Sequence, residues 1–284
     1  MTKGPHIAVI GLVGKSMFFD VPRFHKGGET IAARSYYEEW GGKGFNQAVA
    51  AARQGAKVSF LGKVGNEADS RAVAAFCAGE GITPAVYCSG ASDLPTACAA
   101  ILTDGTGETR VTVYRGAELE ASDVDRGFGE MIAAADILLL NNEVPETVNL
   151  RASEIAEARG VKIVFNPAPA HPLPEALKRR AFLWTPNEFE ERALGDVPGE
   201  VVTTLGAKGC RIRSTGEVIP APRVRAVDST GAGDTFTAVL AVRLAEGAPL
   251  HDACVAACAA AAESVAVCHV MPSIPRRSVP RLLK

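Results

Sequence analysis

The chain is poor in aromatic residues, which make up 6% of its 284 positions, and only two of them are Trp. It also lacks an excess of either charge. Thirty Lys and Arg stand against 32 Asp and Glu, a formal net charge of −2, and no long run of one sign concentrates a field. That argues against a nucleic-acid or membrane-surface partner. Long apolar runs are missing too: residues 137–140 are far too few to span a bilayer, and the Ala-rich stretch 253–267 is interrupted by Glu263 and Ser264. Residues 1–5 have none of the apolar character of a secretory leader, and the seven cysteines are an odd number scattered from Cys77 to Cys268. The expectation is a reduced, cytoplasmic protein with free thiols.

What is present is an ordinary globular composition, 47% hydrophobic with 28 Gly and 17 Pro, enough for one large α/β domain or two small ones. Short β-branched or apolar runs recur at residues 7–10, 58–61, 137–140, 161–165, 182–185 and 201–205. Between several of them lie helical patterns, such as 45–54 closed by Gly55 and 69–78 closed by Gly79, with glycine at the helix C-cap. This predicts βαβ units and a mostly parallel central sheet covered by helices on both faces. The stretch 185–201 is short for a parallel crossover and has room for one helix, over 187–194.

Two stretches break the rhythm. Residues 18–40 alternate polar and apolar around His25-Lys26-Gly27-Gly28, and 96–114 reads as two strands joined at Asp104-Gly105-Thr106-Gly107. Hairpins inserted in a parallel chain do not easily join its sheet. The expected division is an α/β domain over 1–14, 41–94 and 116–284, and a small β-sheet lid over 15–40 and 95–115. Lids keep water from reactions it would spoil.

The strongest local signal follows an apolar run at 224–227, read as a strand. Asp228-Ser229-Thr230-Gly231-Ala232-Gly233-Asp234 then forms a glycine-rich turn into a helix starting at Asp234. Glycines before a helix let several N–H groups aim at one point, where the dipole favours an anion such as phosphate. Asp234 reads either as an N-cap or as a base that takes the proton of a hydroxyl attacking that phosphate. A second glycine-rich stretch, Gly41-Gly42-Lys43-Gly44-Phe45-Asn46-Gln47, opens the helix that ends at Gly55. It suits a polyhydroxylated or phosphorylated ligand, or is simply a tight turn.

Read together, residues 41–65 and 228–234 resemble the paired signatures of the ribokinase-like (phosphofructokinase B) family of carbohydrate kinases, a likeness that covers almost the whole chain. The resemblance implies the three-layer ribokinase-like fold with its β lid, ATP as phosphoryl donor, Mg²⁺, a sugar-like substrate and a homodimer through the lids. Asp234 would be the general base, and Gly231, Ala232 and Gly233 the anion hole. Gly14, Ser16, Gly42, Lys43, Asn46 and Glu143 would surround the sugar. Asn187 and Glu190 resemble the family's Asn-x-x-Glu motif, in which the acid holds Mg²⁺ through water. Thr204, Gly206, Lys208 and Gly209 resemble its nucleotide-binding loop, and Asn166 to Ala170 a segment beside the phosphates. Without the resemblance, Glu190 would be a helix-surface carboxylate and Glu143 a solvated loop acid.

There are departures from the family pattern. Ribose-specific members carry Asn and Asp where Gly14 and Ser16 stand here, which weakens the expectation of ribose. Lys15, beside the vacated carboxylate, makes an anionic sugar derivative at least as good an expectation. The family often holds K⁺ near the loop matching Asp228 and Thr230, with Ser273 fitting a further ligand, but His269 stands where a glycine is usual. Gly14-Lys15-Ser16 is no Walker A loop, because Val9 occupies the place of its first glycine, and no Gly-x-Gly-x-x-Gly follows the first strand. His251, Cys254 and Cys258 share a helix face among alanines and valines and read as buried small residues beside a helix-start histidine. Two other functions stay open: a nucleoside kinase of the same family, and a non-catalytic sugar- or nucleotide-binding sensor.

Overall fold

The computed structural model describes residues 4–88 and 94–277. Residues 1–3, 89–93 and 278–284, and with them the N-terminal expectation and parts of the expected segments 1–14, 41–94 and 116–284, lie outside the described residues.

In chain order the first strands are β1 (His6–Ile10), β2 (Gly14–Asp20), β3 (Ser35–Gly41), β4 (Lys57–Val64), β5 (Ile82–Cys88), β6 (Ala97–Thr103) and β7 (Thr109–Tyr114). After them come β8 (Ile137–Asn141), β9 (Lys162–Asn166), β10 (Leu183–Trp184), β11 (Glu200–Thr204), β12 (Cys210–Ile212) and β13 (Val218–Ile219). The helices are α1 (Lys43–Arg53), α2 (Glu67–Gly79), α3 (Ala121–Asp123), α4 (Gly129–Ala133), α5 (Glu146–Arg159), α6 (Glu175–Arg180), α7 (Glu188–Leu194), α8 (Ala232–Ala245), α9 (Leu250–Ser264) and α10 (Val270–Ser273).

The central sheet runs β13-β12-β11-β10-β9-β8-β1-β4-β5. Its strands from β11 to β5 pair in parallel, and β12 and β13 close one edge antiparallel. Alternation along the strands divides the core into two. On one face Ile7, Val9, Phe60 and Leu139 meet Phe45, Phe236, Val239 and Ala257 of α1, α8 and α9. On the other, Ala8, Ile10, Leu138, Leu140 and Trp184 meet Val148, Ala152, Leu177 and Leu194 of α5, α6 and α7. Each large side chain so buried contributes roughly 1.5–3 kcal/mol.

A second sheet, β3-β2-β6-β7, stands apart from the first. Its antiparallel pairs β2–β3 and β6–β7 are the two expected hairpins, joined by parallel pairing of β2 with β6. The tip of the second is an Asx turn, in which Asp104 Oδ1 accepts from the Thr106 N–H at 2.8 Å and the Glu108 N–H at 3.2 Å. The first is a loose connection over 21–34 rather than a tight turn.

Two local expectations fail. Residues 224–227 form no strand: the Val227 and Asp228 N–H groups donate to Val265 O, 2.7 and 3.2 Å away, stapling this segment to the end of α9 and leaving Val224 and Val227 exposed. Gly79 is the last residue of α2 rather than its cap, and Gly81, at φ 73°, takes the left-handed turn instead.

Candidate active site

The site grows from a close approach of two glycines. A Cβ on Gly44 would lie 2.5 Å from Gly11 Cα and 2.9 Å from Ile10 O, so α1 starts flush against the end of β1 only because both residues are glycine. Gly42, the N-cap of α1 at φ 115°, has no side chain to cap the helix. The capping acceptor comes from elsewhere in the chain: Glu143 Oε2 accepts the Lys43 N–H at 2.6 Å, a carboxylate at the positive end of the helix dipole. Asn141 fixes that loop, accepting the Glu143 N–H at 3.0 Å while donating from Nδ2 to Ile10 O at 3.0 Å. Gly11, Leu12, Lys63 and Glu143 line a small cleft here.

Lys43, Asn46 and Gln47 occupy positions i, i+3 and i+4 of α1 and so share one face. Asn46 Nδ2 donates to Asp234 Oδ2 at 2.8 Å and Gln47 Nε2 to Asp234 Oδ1 at 3.3 Å. Asp234 is therefore not the N-cap of α8. Gly231 holds that position in the left-handed conformation, with no side-chain cap, and the helix starts at Ala232, before Asp234. The Thr235 N–H is bonded back to Gly231 O at 2.9 Å and the Ala232 N–H bends to Ser229 O at 3.3 Å, whereas the Gly233 and Asp234 N–H groups have no acceptor within the helix. Those two donors are the most available to an anion.

Burial pushes the Asp234 carboxyl above the ordinary Asp range, against the pull of Lys43, Asn46 and Gln47. Burial likewise raises Glu143 to about 7, opposed by Lys43 and reinforced by Asp234. Glu190 is raised by burial and by Asp234, with the Asn187 N–H and Lys43 pulling it down. Asp234 above all, then Glu143 and Glu190, hold the Lys43 ammonium above its ordinary value in spite of burial. One cation thus serves three carboxylates.

Asn187 and Glu190 form a capping box at the start of α7. Asn187 Oδ1 accepts the Glu190 N–H at 2.8 Å, and Glu190 Oε2 accepts the Asn187 N–H at 2.9 Å. Glu190 is buried, not the surface acid its helix position alone suggests. Asn187 bridges in parallel to Thr204 at the end of β11, where a short 3₁₀ turn, Gly206–Lys208, and Gly209 at φ 98° complete the loop. Asn166 joins the two halves, donating to Thr185 O at 2.7 Å and facing Gln47 Nε2 at 3.5 Å. The structure therefore gathers Lys43, Asn46, Glu143, Asn187, Glu190, Thr204 and Asp234 at the C-terminal ends of the parallel strands, where ligands of open α/β sheets bind.

Gly14 and Ser16 lie at the start of β2. Lys15 points to the opposite face from Ser16, and its ammonium is paired with Asp69 at 2.9 Å. Its charge is already committed, so the expectation that Lys15 recruits an anionic sugar loses its basis. Asp228 has both oxygens engaged, Oδ1 by the Thr230 N–H at 2.9 Å and Oδ2 by the His269 N–H at 3.0 Å, and the Ser273 hydroxyl donates to Val270 O at 2.9 Å. Among the described residues no group of three or more His, Cys, Asp or Glu is placed to hold a metal. Cys254 and Cys258 are buried, and His251 pairs with Glu217 at 3.0 Å. No helix among the described residues is long and apolar enough to cross a membrane.

The profile of the pfkB family carbohydrate kinases matches residues 5–277. The chain belongs to this family. It is 34% identical to a ribokinase of Haemophilus influenzae, over 95% of each chain. Its fold is similar to that of a Thermotoga maritima ribokinase, with a TM-score of 0.83 and 31% identity over 95% of this chain and 96% of the other. It also resembles an Arabidopsis thaliana ribokinase complexed with ribose and ATP, with a TM-score of 0.83 and 28% identity over 96% of each chain. The protein is an ATP-dependent carbohydrate kinase with the ribokinase fold. The sensor reading falls with that result.

Gln47 and Asn141 are the site neighbours that sequence reasoning passed over. Helical spacing from Lys43 could have found Gln47, whereas nothing local marks Asn141. A carboxyl raised from 4.5 to about 7 favours the protonated fold, so its stabilising contribution is complete below about pH 4.5 and is lost as pH climbs through 7. Glu143→Gln, neutral throughout, escapes that loss and retains an acceptor for the Lys43 N–H. It should melt above the parent protein near pH 8 by on the order of 3 kcal/mol at most, at about 1.4 kcal/mol per pKa unit, and the gap should close near pH 4.5. Thermal melts across that range check this; a gap independent of pH would contradict it.

Proposed function

We propose that this kinase moves the γ-phosphoryl group of ATP to a hydroxyl of a sugar derivative other than ribose, with Asp234 as the general base. The observation that carries the reading is the buried Asp234 carboxylate, gripped by Asn46 and Gln47 at the start of α8 beside two N–H groups without helical acceptors. A carboxyl held above its ordinary range is a stronger base than a free Asp and suits proton removal from an alcohol. Asp234 takes the hydroxyl proton, and the Gly231–Gly233 turn receives the charge of the transferring group through the N–H groups of Gly233 and Asp234. Lys43, with Asn46 and Glu143, orients the sugar, so catalysis is positioning and electrostatics. Asn187, Thr204, Gly206, Lys208 and Gly209 hold the nucleotide in this reading.

Glu190 fits Mg²⁺ by donor chemistry: its Oε2 is taken by the Asn187 N–H, and the hard carboxylate can meet a hydrated cation through Oε1. When bound, Mg²⁺ neutralises phosphate charge. A monovalent cation at the Asp228–Thr230 loop would draw on main-chain carbonyls and on the lone pairs that Asp228 and the donating Ser273 hydroxyl keep beside their hydrogen bonds. The second sheet, residues 15–40 and 95–115, acts as the lid of the domain formed by 1–14, 41–94 and 116–284. Its exposed Tyr36, Val111, Val113 and Tyr114 support a homodimer through the lids. Seven free cysteines suit a reducing cytoplasm.

Gly14 and Ser16 supply no charge and little bulk to that side of the sugar site, and a neutral hydroxyl cannot replace a charge-assisted grip on ribose. Ribose should therefore turn over with a kcat/KM at least about tenfold below the best substrate in a panel of pentoses, hexoses, sugar acids and sugar monophosphates. A clear win for ribose would overturn this specificity. Asp234→Asn should lower kcat by at least about 10²-fold on that best substrate while ATP affinity stays within a few-fold. Near-normal turnover would remove Asp234 from the chemistry.

A further inference from the structure

His269 is the one non-glycine residue with positive φ among the described residues, at φ 66° and ψ 159°. A side chain holds such a backbone only where its surroundings over-determine it. Here the imidazole stacks on Tyr37 of β3, with ring centroids 4.0 Å apart and planes 22° from parallel, and meets Phe18 of β2 edge-on at 5.0 Å. Its main-chain N–H donates to Asp228 Oδ2 at 3.0 Å. Two residues along β3 from Tyr37, on the same face, the buried Glu39 accepts the next two N–H groups of the same segment, Val270 at 2.8 Å and Met271 at 2.9 Å. Val270 in turn lies against the glycine turn: a Cβ on Gly231 would come within 2.6 Å of Val270 Cγ1.

Two short relays therefore run from the second sheet to the phosphate-facing turn. One passes from Glu39 through Val270 to Gly231. The other passes from Tyr37 and Phe18 through the His269 ring and N–H to Asp228, whose Oδ1 holds the Thr230 N–H. Each link is a hydrogen bond or a close contact with a defined geometry, so displacement at one end is resisted at the other.

We propose that Glu39 and His269 are positioning residues that latch the lid sheet to the Asp228–Gly231 turn, so that nucleotide at the turn and the placement of β3 are coupled. This rests on the reading of residues 228–234 as the phosphate site. Neither residue touches the reacting atoms. The carboxylate is suited to the latch because it offers one charged oxygen to each of two adjacent main-chain donors, whereas Gln at this position would lose the charge and one of the two oxygens.

Hydrogen exchange of the full-length protein with and without the non-hydrolysable ATP analogue AMP-PNP and MgCl₂ tests the latch. Nucleotide should slow exchange over residues 228–234 and, at least about threefold, over Ser35–Gly41 of the lid. In Glu39→Gln the turn should still be protected while the effect on β3 is clearly reduced. His269→Gly, which removes the ring and suits the positive φ, should likewise reduce it and provides the test if Glu39→Gln does not fold. Protection of the turn without β3 in the parent protein would overturn the latch alone, as would undiminished transmission in a folded variant. No protection of the turn would overturn the underlying phosphate-site reading and the latch with it.

Discussion

One ammonium among three carboxylates sets the character of this site. Lys43 is the shared cationic partner of Asp234, Glu143 and Glu190, all three raised by burial and all three pulled back by the same charge. Taking a carboxylate from water costs several kcal/mol unless nearby charge and hydrogen bonds offset it. The balance leaves each acid easier to protonate than a free one, which suits a base in its ionised form. Stability and chemistry are in opposition here: the acids weaken the fold near neutral pH, and the same burial makes them useful.

The scaffold exists to keep that cluster in register. Gly11 against Gly44 brings α1 onto the end of β1, and Asn141 ties the β8 loop to the same point. Gly231 at φ 76° starts α8 opposite them. These contacts are main chain to main chain or amide to main chain, so they place Lys43, Glu143 and Asp234 with little freedom, while the second sheet pairs none of its strands with the first. The second sheet reaches the turn through His269, which stacks on Tyr37 and donates its N–H to Asp228.

Much of this was legible in the sequence, because the strands at 7–10, 58–61 and 137–140 are apolar but for Ser59 and the helices between them end in glycine. The glycine-rich turns were equally plain, and they carried the family resemblance that the profile match bears out. The failures are instructive. Residues 224–227 have strand composition, but the N–H groups of Val227 and the following Asp228 are taken by Val265 O, a contact no local pattern announces. Helix α8 is expected to start at Asp234, with the cap reading left open beside the base, because caps are judged by neighbours in sequence; it starts at Ala232, and the partners of Asp234 are 188 and 187 residues away, on α1. Lys15 looked available for a substrate because its partner, Asp69, belongs to another element. Long-range pairing of polar groups is what composition and periodicity leave out.

The central claim is that Lys43 holds Glu143 down against burial. Carboxylate ¹³C NMR titration of glutamate-labelled protein, with the Glu143 resonance assigned through Glu143→Gln, measures this directly. In the parent protein Glu143 should titrate near 7, and in Lys43→Met it should move clearly higher, because burial and the Asp234 charge then act unopposed by that ammonium. An unchanged or lower Glu143 titration in Lys43→Met would contradict the account.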